Sequence, residues 1–427
     1  MGSSLSKSGG RSADITKLGL AIACIAIFAC SLNTQSAHAG FVESVHTEGM
    51  DEGTAHSPPS RIDIYTPTFK AGNGEQNKLL ILKIMGVSAV GPNIAAFVIR
   101  DTGSPLSVGS GCTAIDANTA TCRQVFTTEF DAETGDLDDT VTIGEDYLAY
   151  GSMINTGTGN DVIQDGPGPS YLNGGGGGHD QIRGDGGSDK LSDGDTAGDI
   201  DSDTLDGGGD SDTVESYANR TNSVHVDLSG GGPAGQTGEN DQISNAEGVV
   251  GGSAADQLTG AITTDKAAGI LTGGGGDDQI SAATLAARTN LVGGAGNDTL
   301  IGGVGIDQIA GDAGNDQIKS SSGDDEIYAG SGADVINGGA GRDRIEANAG
   351  NDMISAGSGN DIVDAGPGHD RVLPGAGTNH IYTRDGESDR ISCSRSAKVR
   401  TIWLDKYDTV NRFCKRSSIT GRPGRFY

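Results

Sequence analysis

From Gly293 to Tyr382 the chain is ten nonapeptides laid end to end without a gap, opening GGAGNDTLI, GGVGIDQIA and GDAGNDQIK. The eighth position is aliphatic in every unit: Leu300, Ile309, Ile318, Ile327, Ile336, Ile345, Ile354, Val363, Val372 and Ile381. One apolar residue recurring every nine suits short strands stacked in register. The sixth position is Asp in nine units (Asp298, Asp307, Asp316, Asp325, Asp334, Asp343, Asp352, Asp361 and Asp370) and Asn379 in the tenth. The glycines before it permit a turn with positive φ, and the triplet after it, such as Thr299-Leu300-Ile301, alternates as a strand does. Turn and strand, taken twice, make one coil, so the Asp of unit n faces that of unit n+2 in the next layer, about 4.8 Å away. Such a carboxylate column repels itself unless a cation sits within it. A cage of hard oxygen donors suits Ca²⁺ better than a soft metal.

These residues resemble the hemolysin-type (RTX) nonapeptide repeat, GGxGxDxUx with U a large apolar residue. The resemblance implies an all-β fold, a parallel β-roll or right-handed β-solenoid, loaded with several Ca²⁺ ions. It further implies that each ion takes carbonyls from the first and third loop positions and the Asp carboxylate, contributed by loops n and n+2. On this chain the implied ligands are Gly293, Ala295 and Asp298 with Gly311, Ala313 and Asp316. On the opposite edge they are Gly302, Val304 and Asp307 with Ser320, Ser322 and Asp325, where the first position departs from Gly.

Composition agrees. The formal net charge is −29, with 58 Asp and Glu against 29 Lys and Arg. That balance excludes nucleic acid and anionic membrane as partners for the bulk of the chain and favours cations. Aromatics are 4% of residues, with one Trp, so one large globular core is out of reach and bound metal is the candidate stabiliser.

Repeat-like units begin earlier, at Thr134, but out of phase. Asp139, Asp161, Asp180 and Asp189, then Asp212, Asp256 and Asp278, extend the set of candidate calcium ligands. Residues 134–292 thus form a degenerate block before the ten-unit roll at 293–382. Insertions at 193–200 and 216–250 interrupt the count and are expected to project as loops. Within the second, 217–228 resembles an insert that accompanies such repeats in secreted, actinobacterial-type proteins; its His225 lies on an alternating strand pattern and reads as a packed or surface residue.

The flanks differ from the repeats. Arg11 and Lys17 precede an apolar run, 18–29, and Ala37-His38-Ala39 offers a small-x-small cleavage site, so 1–39 is expected to be a signal peptide. Twelve apolar residues are too few to span a bilayer, and no transmembrane anchor is expected after processing. A lipoprotein box ending at Cys30 is the alternative. Residues 40–133 read as a small β region that caps the first coil, with Leu79-Leu80-Ile81-Leu82 as one strand. Four cysteines remain after export, and their close spacings suggest Cys112 with Cys122 and Cys393 with Cys414, with other pairings left open and a zinc site as the rival reading. The last segment, 383–427, carries eleven Lys or Arg and five Asp or Glu. It reads as a disulfide-linked cap, or as a tail whose Arg412, Lys415, Arg416, Arg422 and Arg425 contact an anionic cell wall or host surface.

No catalytic signature appears. The seven histidines form no His-Glu-x-x-His, and the paired carboxylates are explained by the metal repeat. The expectation is therefore an exported calcium-binding protein with a structural or cell-surface role, not an enzyme. An adhesin or toxin-like protein whose active part is 40–133 or the insert loops, and a hydrolase of unrecognised site, are the alternatives.

Overall fold

The computed structural model describes backbone and side chains for residues 131–414, apart from 144–150, 195–199, 231, 261–268, 284–287 and 396–400. Beyond these it places only the backbone of strands at 40–50, 61–70, 78–84, 95–101, 106–108, 112–116, 119–124, 130, 397–400, 419–420 and 425–426. The expected signal peptide, 1–39, with Cys30, lies outside the described residues. Every regular element among the described residues is a strand.

The nonapeptide dictates the local geometry. In Thr299–Ile301, Gln317–Lys319 and Val335–Asn337 the middle residue is buried and its neighbours face outward, the period of two that a pleated strand imposes. These strands stack in parallel, Thr299 on Gln317 and Gln317 on Val335, so one layer consumes eighteen residues, or two units. The intervening strands, Asn290–Ala295, Gln308–Ala313 and Glu326–Ser331, stack likewise into the opposite face. The eighth-position aliphatics therefore form two facing columns. Leu291, Ile309, Ile327, Ile345, Val363 and Ile381 stand on one, and Leu300, Ile318, Ile336, Ile354 and Val372 on the other, all at most 2% exposed. Burying each side chain contributes about 1.5–3 kcal/mol, and the core is only these two walls thick.

The degenerate block continues the same stack. Val141, Ile163, Ile182, Leu205 and Ile243 prolong one column, and Ile154, Leu172, Leu191, Val214 and Val249 the other. The slipped phase is absorbed between strands rather than within them. Stacked aspartates are separated by 22 residues at Asp139 and Asp161, by 23 at Asp180 and Asp203, and by 38 at Asp203 and Asp241. At the 216–250 insertion one face divides. Asp241–Ser244 stacks on Thr204–Asp206 and pairs antiparallel with Pro233–Ala234, which ends a ten-stranded sheet, while His225–Asp227 opens an eleven-stranded sheet by stacking under Gln257–Thr259. His225 itself is exposed, beside buried Val226.

Both ends join the stack through backbone pairing. Arg61–Lys70 runs parallel to Phe130–Glu133 and Lys78–Ile84 parallel to Thr140–Ile143, so the 40–133 region continues both faces of the first coil. Cys112 lies opposite Cys122 in an antiparallel pair, with side chains outside the described residues. Beyond Tyr382 the ladder goes on through Arg390–Ile391, Thr409–Val410 and Arg425–Phe426. There Cys393 and Cys414 form a buried disulfide with a Cα–Cα distance of 5.2 Å. Of the expected basic tail, Lys415, Arg416 and Arg422 lie outside the described residues, as does the side chain of Arg425.

The fourth position of the unit is where glycine is indispensable. Gly332 has φ 139° and Gly341 φ 143°, and a β-carbon on Gly332 would lie 1.8 Å from the carbonyl oxygen of Gly314 in the preceding layer. The second position is more tolerant, with Asp312, Ser321 and Asn348 at φ between 67° and 79°. Gly332→Ala is expected to destabilise the calcium-loaded protein by at least about 3 kcal/mol. Asn348→Gly, which trades left-handed strain for backbone entropy, should change stability by less than about 1 kcal/mol. Chemical unfolding of both variants checks the contrast.

Candidate metal centre

Each strand of the roll is entered from a six-residue turn, and the stack brings the sixth positions of these turns into columns. One column runs Asp256, Asp278, Asp298, Asp316, Asp334, Asp352, Asp370, Asp389 and Asp408 without a break. In each step the backbone N–H of one Asp donates to Oδ1 of the Asp in the next layer, at 2.8 Å from Asp298 to Asp316 and 2.8 Å from Asp316 to Asp334. The opposite edge carries Asp307, Asp325, Asp343 and Asp361, ending on Asn379. A third column holds Asp139, Asp161, Asp180, Asp203 and Asp241, and Asp189 donates to Asp212 on the edge facing it.

The ladder satisfies one carboxylate oxygen and strands the other. Oδ2 of Asp278, Asp298, Asp316, Asp334, Asp352, Asp370 and Asp389, and of Asp343 and Asp361 opposite, is buried with no hydrogen-bond partner. A buried charged oxygen without a partner is costly, so these atoms call for a proton or a cation. Burial pushes the Asp316, Asp352 and Asp361 carboxyls up to about 6, those of Asp278, Asp343 and Asp370 up to about 7, and that of Asp389 up to about 8. Backbone N–H donation opposes the rise, while carboxylates in adjacent layers add to it at Asp278, Asp316, Asp343, Asp370 and Asp389.

The donor set fits a hard cation. A β-carbon added to Gly293 would lie 2.3 Å from Asp298 Oδ2 and 2.9 Å from the Gly311 carbonyl oxygen, and one on Gly311 would lie 2.4 Å from Asp316 Oδ2. On the other edge a β-carbon on Gly302 would lie 2.7 Å from both Asp307 Oδ2 and the Ser320 carbonyl oxygen. Glycine at the first position thus leaves a small space lined by a carboxylate oxygen of its own loop and a carbonyl of the next layer. Such all-oxygen surroundings are those Ca²⁺ takes. Ala329, Ala347, Ala356 and Ala365 occupy the same position in four loops and are fully buried.

Of the residues expected as ligands, Asp298 and Asp316, and Asp307 and Asp325, are brought into adjacent layers as the two-unit pairing requires. The Ala295 and Ala313 carbonyls lie between layers, accepting from the N–H groups of Gly276 and Gly296 at 2.7 and 2.8 Å; each keeps a second lone pair. Val304 turns its side chain to solvent, 58% exposed. Asp256 and Asp307 differ from the rest: Oδ2 is already taken by the N–H of Gly252 or Gly303 of the same loop. Asp203, Asp241, Asp389 and Asp408 belong to the columns yet escape a search for glycine-led units. Their signal is the bare Asp-x-aliphatic triplet, as in Asp203-Thr204-Leu205 and Asp389-Arg390-Ile391. Asp165 enters differently, from the first position of a loop whose sixth residue is Ser170.

The raised carboxyls fix the sign of a pH effect. Their folded-state values lie above the roughly 4 of an unfolded Asp, so without calcium the roll holds extra protons between about pH 4 and 8. Its stability then falls as pH rises through that window. The calcium-free protein should accordingly show more β structure by circular dichroism at pH 5 than at pH 8, and calcium added at neutral pH should release protons in a pH-stat. A calcium-free β signal that grows with pH would contradict the burial of these groups.

The sequence matches the RTX calcium-binding nonapeptide repeat (4 copies) at residues 155–191, 197–218, 270–284, 289–318, 311–345, 319–354, 337–372 and 346–381. No curated protein matches the chain. The matched segments lie on the columns just described, which continue beyond them to Asp408. The repeats of this chain are RTX calcium-binding nonapeptide repeats, built into a parallel β-roll.

Proposed function

We propose that this is an exported protein whose roll folds on calcium and whose role is structural or at the cell surface. The observation that carries the reading is the run of buried Asp Oδ2 atoms without partners. Unloaded, they oppose folding through mutual repulsion and desolvation. Loaded, each layer is clamped to the next by an ion shared between loops. Asp298, Asp316, Asp334, Asp352 and Asp370 would hold the ions on one edge, and Asp325, Asp343 and Asp361 on the other, with first-position carbonyls such as those of Gly293 and Gly311; Asp307 would have to release the Gly303 N–H to join them. Sites of this class with extracellular roles bind at about 10⁻⁴–10⁻³ M, so the ion that completes the fold is abundant only outside the cell. Export with an N-terminal signal fits that requirement. A non-catalytic role is supported by the carboxylates themselves, which are engaged in the interlayer ladder rather than paired across a cleft.

Far-ultraviolet circular dichroism of the purified protein, titrated with Ca²⁺ and then EDTA, tests this, with Mg²⁺ as the control ion. The expected result is a reversible gain of β signal that Ca²⁺ produces and Mg²⁺ does not. A β signal unchanged by EDTA would overturn the reading and leave a solenoid held by packing alone.

A further inference from the structure

Where one face divides, two buried carboxylates outside the repeat's ligand pattern, Asp193 and Glu239, meet Asp241 of the third column, with Asp203 of the same column beside them. Ligand oxygens of Asp193, Glu239 and Asp241 lie within 4.8 Å of one another, and all three residues are buried. Asp193 stands at a first loop position. In neighbouring loops that place is glycine and lies against the sixth-position Oδ2: a β-carbon on Gly174 or Gly184 would sit 2.2 Å from Asp180 or Asp189 Oδ2. Asp193 belongs to the loop whose sixth residue is Asp203, and its charge reaches that carboxyl. Asp203 is 2% exposed; its Oδ1 accepts from the Asp180 N–H, and its Oδ2 is buried without a partner. After burial, the charges that raise its carboxyl most are Asp193 and Asp241.

Two neighbours order the cluster. Tyr217 OH donates to Asp241 Oδ2 at 2.7 Å, and Arg220 Nη2 donates to Glu239 Oε1; both side chains are fully buried. Among the described residues one guanidinium stands against four buried acids, so the cluster calls for protons or for a further cation. A cleft of about 390 Å³, lined by His225, Gln236 and Glu239 among others, opens beside it and offers a way in.

We propose that Asp193, Asp203, Glu239 and Asp241 bind one divalent cation of the calcium type at the end of the third column, where Asp193 and Glu239 add carboxylates that the repeat does not supply, and that this ion ties the 216–250 insertion to the roll. All donors are hard oxygens, as such an ion requires. Tyr217, hydrogen-bonded to one proposed ligand, makes the site readable.

The test uses the full protein. Native mass spectrometry counts bound Ca²⁺ in the unaltered chain, in the Asp193→Asn/Glu239→Gln double variant and in Tyr217→Phe, and terbium luminescence excited through tyrosine is recorded for each. The expected result is one ion fewer in the double variant, and in Tyr217→Phe a lower terbium signal with the calcium count unchanged. An unchanged count and unchanged luminescence in the double variant would overturn the proposal. Neutralising acids relieves repulsion, so the double variant should keep its calcium-loaded circular dichroism; loss of that signal together with every bound ion would also count against a local site. If the unaltered protein binds no calcium along its edges, the roll's calcium reading fails on its own, and a terbium signal abolished in the double variant would still uphold the junction site.

Discussion

The structure turns on one hydrogen bond repeated in every layer, from the backbone N–H of a sixth-position Asp to Oδ1 of the Asp in the next layer. It sets the registry between coils, and it does so with a charged acceptor, which makes the bond stronger than a neutral one. The same bond fixes each carboxylate with its second oxygen turned into the loop, where water does not reach. Stacking order and an unmet need for positive charge therefore arise from a single geometry. Hydrophobic burial alone is a weak counterweight, because each wall of the core is one aliphatic column.

Glycine serves this arrangement at two distinct places. At the fourth position the layers approach so closely that a β-carbon would strike the backbone of the preceding coil, as between Gly332 and Gly314. At the first position the absent side chain leaves a space that a carboxylate and a carbonyl line, as at Gly293. The first requirement is steric and belongs to folding; the second concerns ion binding, and the four loops led by Ala relax it. The outward fifth position adds a weaker ladder of the same kind, in which Asn297 accepts from Asn315 at 2.9 Å.

Irregular stretches show how tolerant the plan is. Coils lengthen from eighteen residues to 38 while the strand register and the Asp ladder persist, because added residues leave the wall between strands and cost little more than loop closure. The largest insertion does not merely project. It ends one sheet, begins another, and buries Tyr217, Arg220 and Glu239 in the process.

The ten-unit block was legible because its period is strict. An aliphatic every nine residues specifies two facing columns, and Asp two places before each aliphatic specifies the carboxylate ladder; Asp298 through Asp370 and their two-unit pairing follow from spacing alone. The sequence could not say that Asp203 stacks on Asp241 across 38 residues, that the ladder continues through Asp389 and Asp408, or that Asp193 turns inward beside them. Those neighbours are chosen by the register of the stack, and the register depends on how many residues each loop sheds from the wall. Spacing in the chain determines partners only while every coil has the same length. Once lengths differ, only the hydrogen-bonded pairing of layers decides which carboxylates share an edge.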